Sequence, residues 1–222
     1  MKEVTKMFEN EKVIVLDTET TNSIDDPIAY DIGFAVIDIN GKVYETHSYV
    51  VAEVFLDKEL MTSAFFADKI PQYWEDIKNG NRKLLKLKTI KYILADVCKQ
   101  YGIKKICAYN CRFDVRSLNL TQRFLTSSKY RYFYPYEIQF MDILKLARGI
   151  LKNDDKYGEF CYNNNYMTKN NQRKYTAEIV YRYLFDENFI ESHTGCEDCE
   201  IEGKIMIELL KKNPESNFKL WE

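Results

Sequence analysis

Residues 13–21 read Val13-Ile14-Val15-Leu16-Asp17-Thr18-Glu19-Thr20-Thr21. The first four are continuously apolar and β-rich, the composition of a strand covered by protein on both faces. This strand is expected to end at Asp17. Asp17 and Glu19 are two positions apart, so the two-residue period of a strand turns both carboxylates to one side of the sheet. Two acids facing one spot repel. Unless the pair is simply a solvated acidic turn, either one of them is held protonated or a divalent cation takes both as oxygen ligands.

The neighbouring segments supply the rest of the sheet. Residues 32–39 and 43–51 are β-rich runs separated by Asn40-Gly41, a strong hairpin signal, so three antiparallel strands open the fold. Residues 58–101 read as helical, with Leu84, Leu87, Tyr92, Leu94 and Val97 near the helical period until Gly102. Beyond it, strands predicted at 103–110 and 137–141 alternate with helices at 112–125 and 142–151, the latter capped by Asp142. Such alternation adds parallel strands. Helices at 176–184 and 193–212 follow. The expected class is α/β, a mixed sheet of three antiparallel strands followed by parallel additions and flanked by helices. One domain is expected over 1–222, with 1–11 and 213–222 as loosely tied ends.

Composition narrows the function classes. With 45% apolar and 30% charged residues, and only 8 Gly and 4 Pro in 222 residues, disordered and collagen-like readings are excluded. The net charge of −2 is not that of a uniformly basic nucleic-acid binder, so any such contact must come from local patches. No apolar run nears the roughly 18 residues that span a bilayer, so no membrane partner is expected. The charged segment 1–12 lacks the apolar stretch of a signal peptide, which points to a reducing cytoplasm and free thiols. Cys107 and Cys111 with Cys196 and Cys199 could suggest zinc, but small apolar packing accounts for them better.

Three further residues carry chemistry. Asp114 opens a helix whose inward stripe continues through Leu118 and Leu125, which puts its carboxylate on or beside the apolar face, though an acid in a first turn equally suits the helix dipole; Asp198 shares a stripe with Ile201, Ile205 and Leu209 and so points toward a core. A buried carboxylate needs a partner, and metal coordination supplies one. His193 lies five residues before Asp198, about 140° around a helix, and must reach such a site from the start of the helix. There it suits a base that takes a proton from water near neutral pH, whereas an isolated histidine is more often a surface or capping residue. The other histidine, His47, reads as structural.

Together the segments Val15-Leu16-Asp17-Thr18-Glu19-Thr20-Thr21, Asn110-Cys111-Arg112-Phe113-Asp114 and His193-Thr194-Gly195-Cys196-Glu197-Asp198 resemble the three motifs of the DEDDh 3′→5′ exonuclease family. That family includes the proofreading epsilon subunit of DNA polymerase III, RNase T and oligoribonuclease, and the likeness extends from about residue 12 to 210, nearest to stand-alone exonucleases of phages and their hosts. The resemblance implies an RNase H-like fold. It also implies two Mg²⁺ or Mn²⁺ ions held by Asp17, Glu19, Asp114 and Asp198, with His193 as general base. Asp17 would bridge the ions, Glu19 and Asp198 would complete one site, and Asp114 would act through water. Thr20 would meet the 3′-terminal nucleotide through its backbone, and Asn110 would lie near the substrate. Gly195 stands where the family more often has Ala, which is expected to loosen the start of the helix.

The implied activity is hydrolysis of single-stranded 3′ ends to 5′-mononucleotides, with DNA favoured over RNA. An RNA-trimming or oligoribonuclease-type enzyme is the alternative within the class. A non-catalytic module docking a polymerase or other replication protein is the alternative outside it, and would predict a missing acid. None is missing. Three basic or aromatic segments could meet nucleic acid: the run Lys78, Arg82, Lys83, Lys86, Lys88 and Lys91, the aromatic stretch Tyr130 to Tyr136, and the cluster Lys169 to Lys174. A charge run is usually a solvated helix face, and core packing explains the aromatics equally well.

Overall fold

The computed structural model describes residues 11–22, 25–190 and 194–221. Strands β1 (Lys12–Thr21), β2 (Ile28–Asp38) and β3 (Val43–Val51) pair antiparallel, and the β2–β3 turn closes at Gly41 with φ 87°. Short helices α1 (Ala52–Phe55) and α2 (Lys58–Met61) and a 3₁₀ turn (Ala67–Lys69) lead to α3 (Ile70–Asn79), β4 (Lys83–Leu85) and α4 (Leu87–Tyr101). Then come β5 (Lys105–Ala108), α5 (Cys111–Leu125), β6 (Gln139–Asp142), α6 (Ile143–Leu151), α7 (Asp155–Asn163), α8 (Ala177–Leu184) and α9 (Gly195–Lys212). The sheet order is β4-β3-β2-β1-β5-β6, with β5 parallel to β1, β6 parallel to β5 and β4 parallel to β3. This is the mixed, helix-flanked α/β sheet expected.

Alternation along β1 builds two cores. Ile14 and Leu16 face a cluster with Phe34, Leu94 and Leu118, while Val13 and Val15 face a second with Leu146, Ile205 and Leu209. A sheet buried on both faces explains why β1 and β2 read as nearly continuous apolar runs.

Several boundaries differ from those read in the sequence, each for a local reason. β1 does not end at Asp17: Thr18 to Thr21 continue to pair with β2, which itself starts at Ile28, so both acids lie inside a strand. The helical reading of 58–101 breaks at Gly80, whose left-handed φ of 80° ends α3. Lys83 to Leu85 then form a strand paired with Tyr49 to Val51. Helix α7 has no counterpart in the sequence reading; Asp154 caps it by accepting from the Tyr157 N–H at 3.2 Å. The Asp142 cap is present, accepting from the N–H groups of Leu144 and Lys145 at 3.0 and 3.2 Å.

Within the stretch 213–222, residues 218–220 are held against the sheet. Phe218 is fully buried, its carbonyl accepts from the Asp142 N–H at 2.7 Å, and the Leu220 N–H donates to the Phe140 carbonyl at 2.9 Å. Residues 218–220 thereby cover the free edge of β6, where unpaired backbone groups would otherwise invite another strand.

Candidate active site

Asp17 and Glu19 share one side of β1, as their spacing requires, and the first turn of α9 brings Asp198 to them. The ligand atoms of these three carboxylates lie within 4.8 Å of one another. Asp198 is fixed by its own helix start, its Oδ2 accepting from the Thr194 N–H at 2.9 Å. Thr18, between the two β1 acids, points to the opposite face and donates through Oγ1 to Asp114 Oδ1 at 2.9 Å. Asp114 therefore reaches the site from the other side of the sheet, on the first turn of α5, where it is 3% exposed. It lies outside the cluster of three.

A fifth acid, Glu202, escapes the sequence reading. It is 3% exposed, one helical turn beyond Asp198, and accepts from the Tyr109 N–H at 3.1 Å. Its offset of four from Asp198 is the available signal, because residues four apart share a helical face. Burial pushes the Asp17 carboxyl well above the usual range, and Glu202, Asp114, Glu19 and Asp198 push it in the same direction. Burial likewise pushes Asp114 up to about 7, against the lowering effect of the Thr18 hydrogen bond. The repulsion inferred from the Asp17/Glu19 spacing is thus present and is larger than two acids would create. An all-oxygen set converging at this distance fits a hard divalent cation such as Mg²⁺ or Mn²⁺.

Asn110 holds the αL conformation (φ 61°) at the β5–α5 corner and lines the same cleft as Asp17. Thr20 is 8% exposed, and its carbonyl accepts from the Phe65 N–H at 3.2 Å, which sets the 73%-exposed Phe65 ring beside the acid-bearing strand. His193 lies outside the described residues. Gly195 does not loosen the start of α9: a Cβ there would stand 2.9 Å from the Gly33 nitrogen and 3.2 Å from the Asp17 carbonyl oxygen, so glycine allows the helix to press against the sheet.

A cleft of about 1100 Å³ is lined by Asp17 and Glu202 and also by Arg148, Lys152 and Lys174. Of the sequence 169–174, Arg173 is committed to the fold, donating to the carbonyls of Leu151, Lys152 and Asp154. The run from Lys78 to Lys91 is not one helix face. It spans the end of α3, β4 and the start of α4, and its Arg82 is buried in an ion-pair network. In the aromatic stretch Phe133 and Tyr134 are buried, with Tyr134 Oη donating to the Asp114 carbonyl at 3.2 Å, while Tyr130, Tyr132 and Tyr136 are exposed.

All six cysteines are free, and Cys107, Cys111 and Cys199 are buried as packing residues. His47 is structural, stacked on Phe34 with ring centroids 4.3 Å apart.

No protein-family model and no curated protein matches the sequence. Solved structures do. Exonuclease X, in complex with 5′-overhanging duplex DNA, superposes with a TM-score of 0.52 at 16% identity, over 92% of this chain and 94% of that one. Cell-death related nuclease 4 (CRN-4) gives 0.58 at 11% identity, over 91% and 64%. Exonuclease I from Methylocaldum szegediense gives 0.53 at 11% identity, over 92% and 41%. The chain has the exonuclease fold. It spans nearly all of Exonuclease X and under half of Exonuclease I. Among the described residues, no helix is long and apolar enough to cross a membrane.

Proposed function

We propose that this chain is a divalent-metal-dependent 3′→5′ exonuclease that shortens single-stranded ends, DNA before RNA, and releases 5′-mononucleotides. The observation that carries the reading is the convergence of Asp17, Glu19 and Asp198 within 4.8 Å inside an exonuclease fold. Asp17, with Glu19 and Asp198, would hold one ion. Asp17 with Asp114 would hold the second, Asp114 acting through water. When bound, the ions supply Lewis acidity to the phosphodiester and compensate the charge that builds on the departing oxygen.

The chain's own residues set the stage for that chemistry. His193 is joined by one peptide bond to Thr194, whose N–H donates to Asp198, so the residue next to the proposed base is hydrogen-bonded to a proposed ligand. It would take the proton of the water that attacks the terminal phosphorus, as the bond to the 3′ oxygen breaks. Thr20 follows Glu19 on β1 and its carbonyl accepts from the Phe65 N–H, so the exposed Phe65 ring would offer a seat for the last base, which any aromatic face can stack. The cleft wall of Arg148, Lys152 and Lys174 offers positive charge to the phosphates of the remaining strand.

The test uses 5′-labelled single-stranded DNA and RNA with Mg²⁺, Mn²⁺ or EDTA, beside Asp17→Ala. Label retained on a ladder of shortening products, seen with metal and absent in EDTA and in the variant, is the expected result. Binding without shortening in every metal would instead favour a docking module. His193→Ala is expected to keep ion binding in calorimetry and lose about 10²-fold or more in rate.

A further inference from the structure

Asp31 of β2 is a fully buried carboxylate outside the acid cluster. Its Oδ2 accepts from Tyr73 Oη at 2.6 Å, from Arg82 Nη1 at 3.2 Å and from the Gly195 N–H, at the start of α9, at 3.0 Å. Arg82 is also buried, and its remaining donors spread to Asp76 (3.1 Å), to Ser48 Oγ (2.7 Å) and to Glu197 Oε2 (2.8 Å). That same Glu197 oxygen accepts from Thr194 Oγ1 at 2.7 Å, and the Thr194 N–H donates to Asp198 Oδ2 at 2.9 Å. An unbroken path of hydrogen bonds therefore runs from α3 through Asp31, Arg82, Glu197 and Thr194 to Asp198.

Where this path ends separates it from an ordinary brace. It does not finish in either hydrophobic core but on a member of the acid cluster and on the residue that follows His193. Glu197 is 53% exposed at its side chain, so its truncation leaves no hole in the core. Only a planar fork can meet Asp31, Asp76 and Glu197 together; a lysine ammonium at position 82 could not. We infer that Arg82 and Glu197 are positioning residues for the catalytic site: the arm from Arg82 through Glu197 to Thr194 sets where Asp198 stands relative to Asp17 and Glu19. This rests on the nuclease reading above, and ion binding tests it separately.

The experiment compares Glu197→Ala with wild type by Mn²⁺ calorimetry, thermal unfolding without metal, and steady-state shortening of single-stranded DNA. Partners that orient metal ligands are commonly worth 10- to 100-fold in affinity or activity. Glu197→Ala is expected to weaken Mn²⁺ binding or lower kcat by about tenfold, with KM and the metal-free Tm unchanged. Glu197→Gln, which still offers an oxygen to Thr194 and Arg82, is expected to recover most of the loss. Arg82→Met, if it folds, should give the larger defect and make the Glu197→Ala effect vanish in the double variant. Wild-type ion affinity and kcat in Glu197→Ala, or a loss that merely tracks a fallen Tm, would overturn the assignment. A wild-type protein that binds Mn²⁺ but shortens nothing would overturn the nuclease reading, while the affinity comparison would still judge the arm.

Discussion

Gly33 of β2 and Gly195 of α9 meet backbone to backbone: a Cβ on Gly33 would overlap the main-chain carbon and oxygen of Gly195 and the nitrogen of Cys196. The helix that carries Asp198 and Glu202 is thereby pressed onto the strands that carry Asp17, Glu19 and Asp31. No side chain separates the two elements at the point where the site begins. Both neighbouring groups are backbone and cannot swing aside, as the end of a flexible side chain could.

Gly33→Ala should therefore be among the most damaging single-carbon additions in the molecule. Overpacking of this kind costs about 1–3 kcal/mol, and the upper end is expected here. Urea unfolding measures it. A stability equal to wild type would mean that α9 can stand away from the sheet.

Asp17→Asn is expected to abolish shortening and yet raise the metal-free Tm by about 2–4 °C, since about 1 kcal/mol corresponds to that shift in a chain of this size. The buried Asp17 carboxylate is pushed upward by burial and by Glu202, Asp114, Glu19 and Asp198, and a neutral amide removes that repulsion. The same variant should lose the rise in Tm that Mn²⁺ gives wild type. Scanning fluorimetry with and without ion reads both, and a lower metal-free Tm would contradict the electrostatic account.

Asp114 makes the metal-free protein less stable as pH rises. Its carboxyl is held up to about 7 in the fold, while an unfolded Asp releases its proton near pH 3.9, so between those values the folded chain holds the extra proton. The stability contributed by that proton is present near pH 4 and lost as pH rises through about 7. Chemical unfolding from pH 5 to 8 should show the decline, Asp114→Asn should flatten it, and saturating Mn²⁺ should offset it most at pH 8.

Reversing charge on the cleft wall should weaken nucleic-acid binding without touching the acids. For Arg148→Glu with Lys174→Glu, anisotropy of a labelled oligonucleotide in EDTA should show weaker binding. Its salt dependence should flatten by about 0.7 for each phosphate that the wall no longer neutralises. Unchanged affinity and slope would place the strand elsewhere.

Much of this protein was legible in its residue order because the deciding signals are local. The apolar run before Asp17, the Asn40-Gly41 turn and the Asp142 cap each depend on a few neighbouring residues. The parity of Asp17 and Glu19 did more: it turned two acids one way, while the Thr18 bond to Asp114 on the other face appeared only in the fold. Period and capping express backbone geometry, which the local sequence sets.

What needed the folded chain was everything that joins distant segments. Arg82 read as one cation in a solvated lysine run, and only packing buries it between Asp31, Asp76 and Glu197. Glu202 looked like an ordinary helix acid until α9 was laid against β1, and Gly195 looked like a looser helix start until Gly33 was placed under it. A sequence displays which charges exist. Which of them share one low-dielectric pocket depends on how the sheet and α9 close upon each other, a long-range condition no single segment can encode.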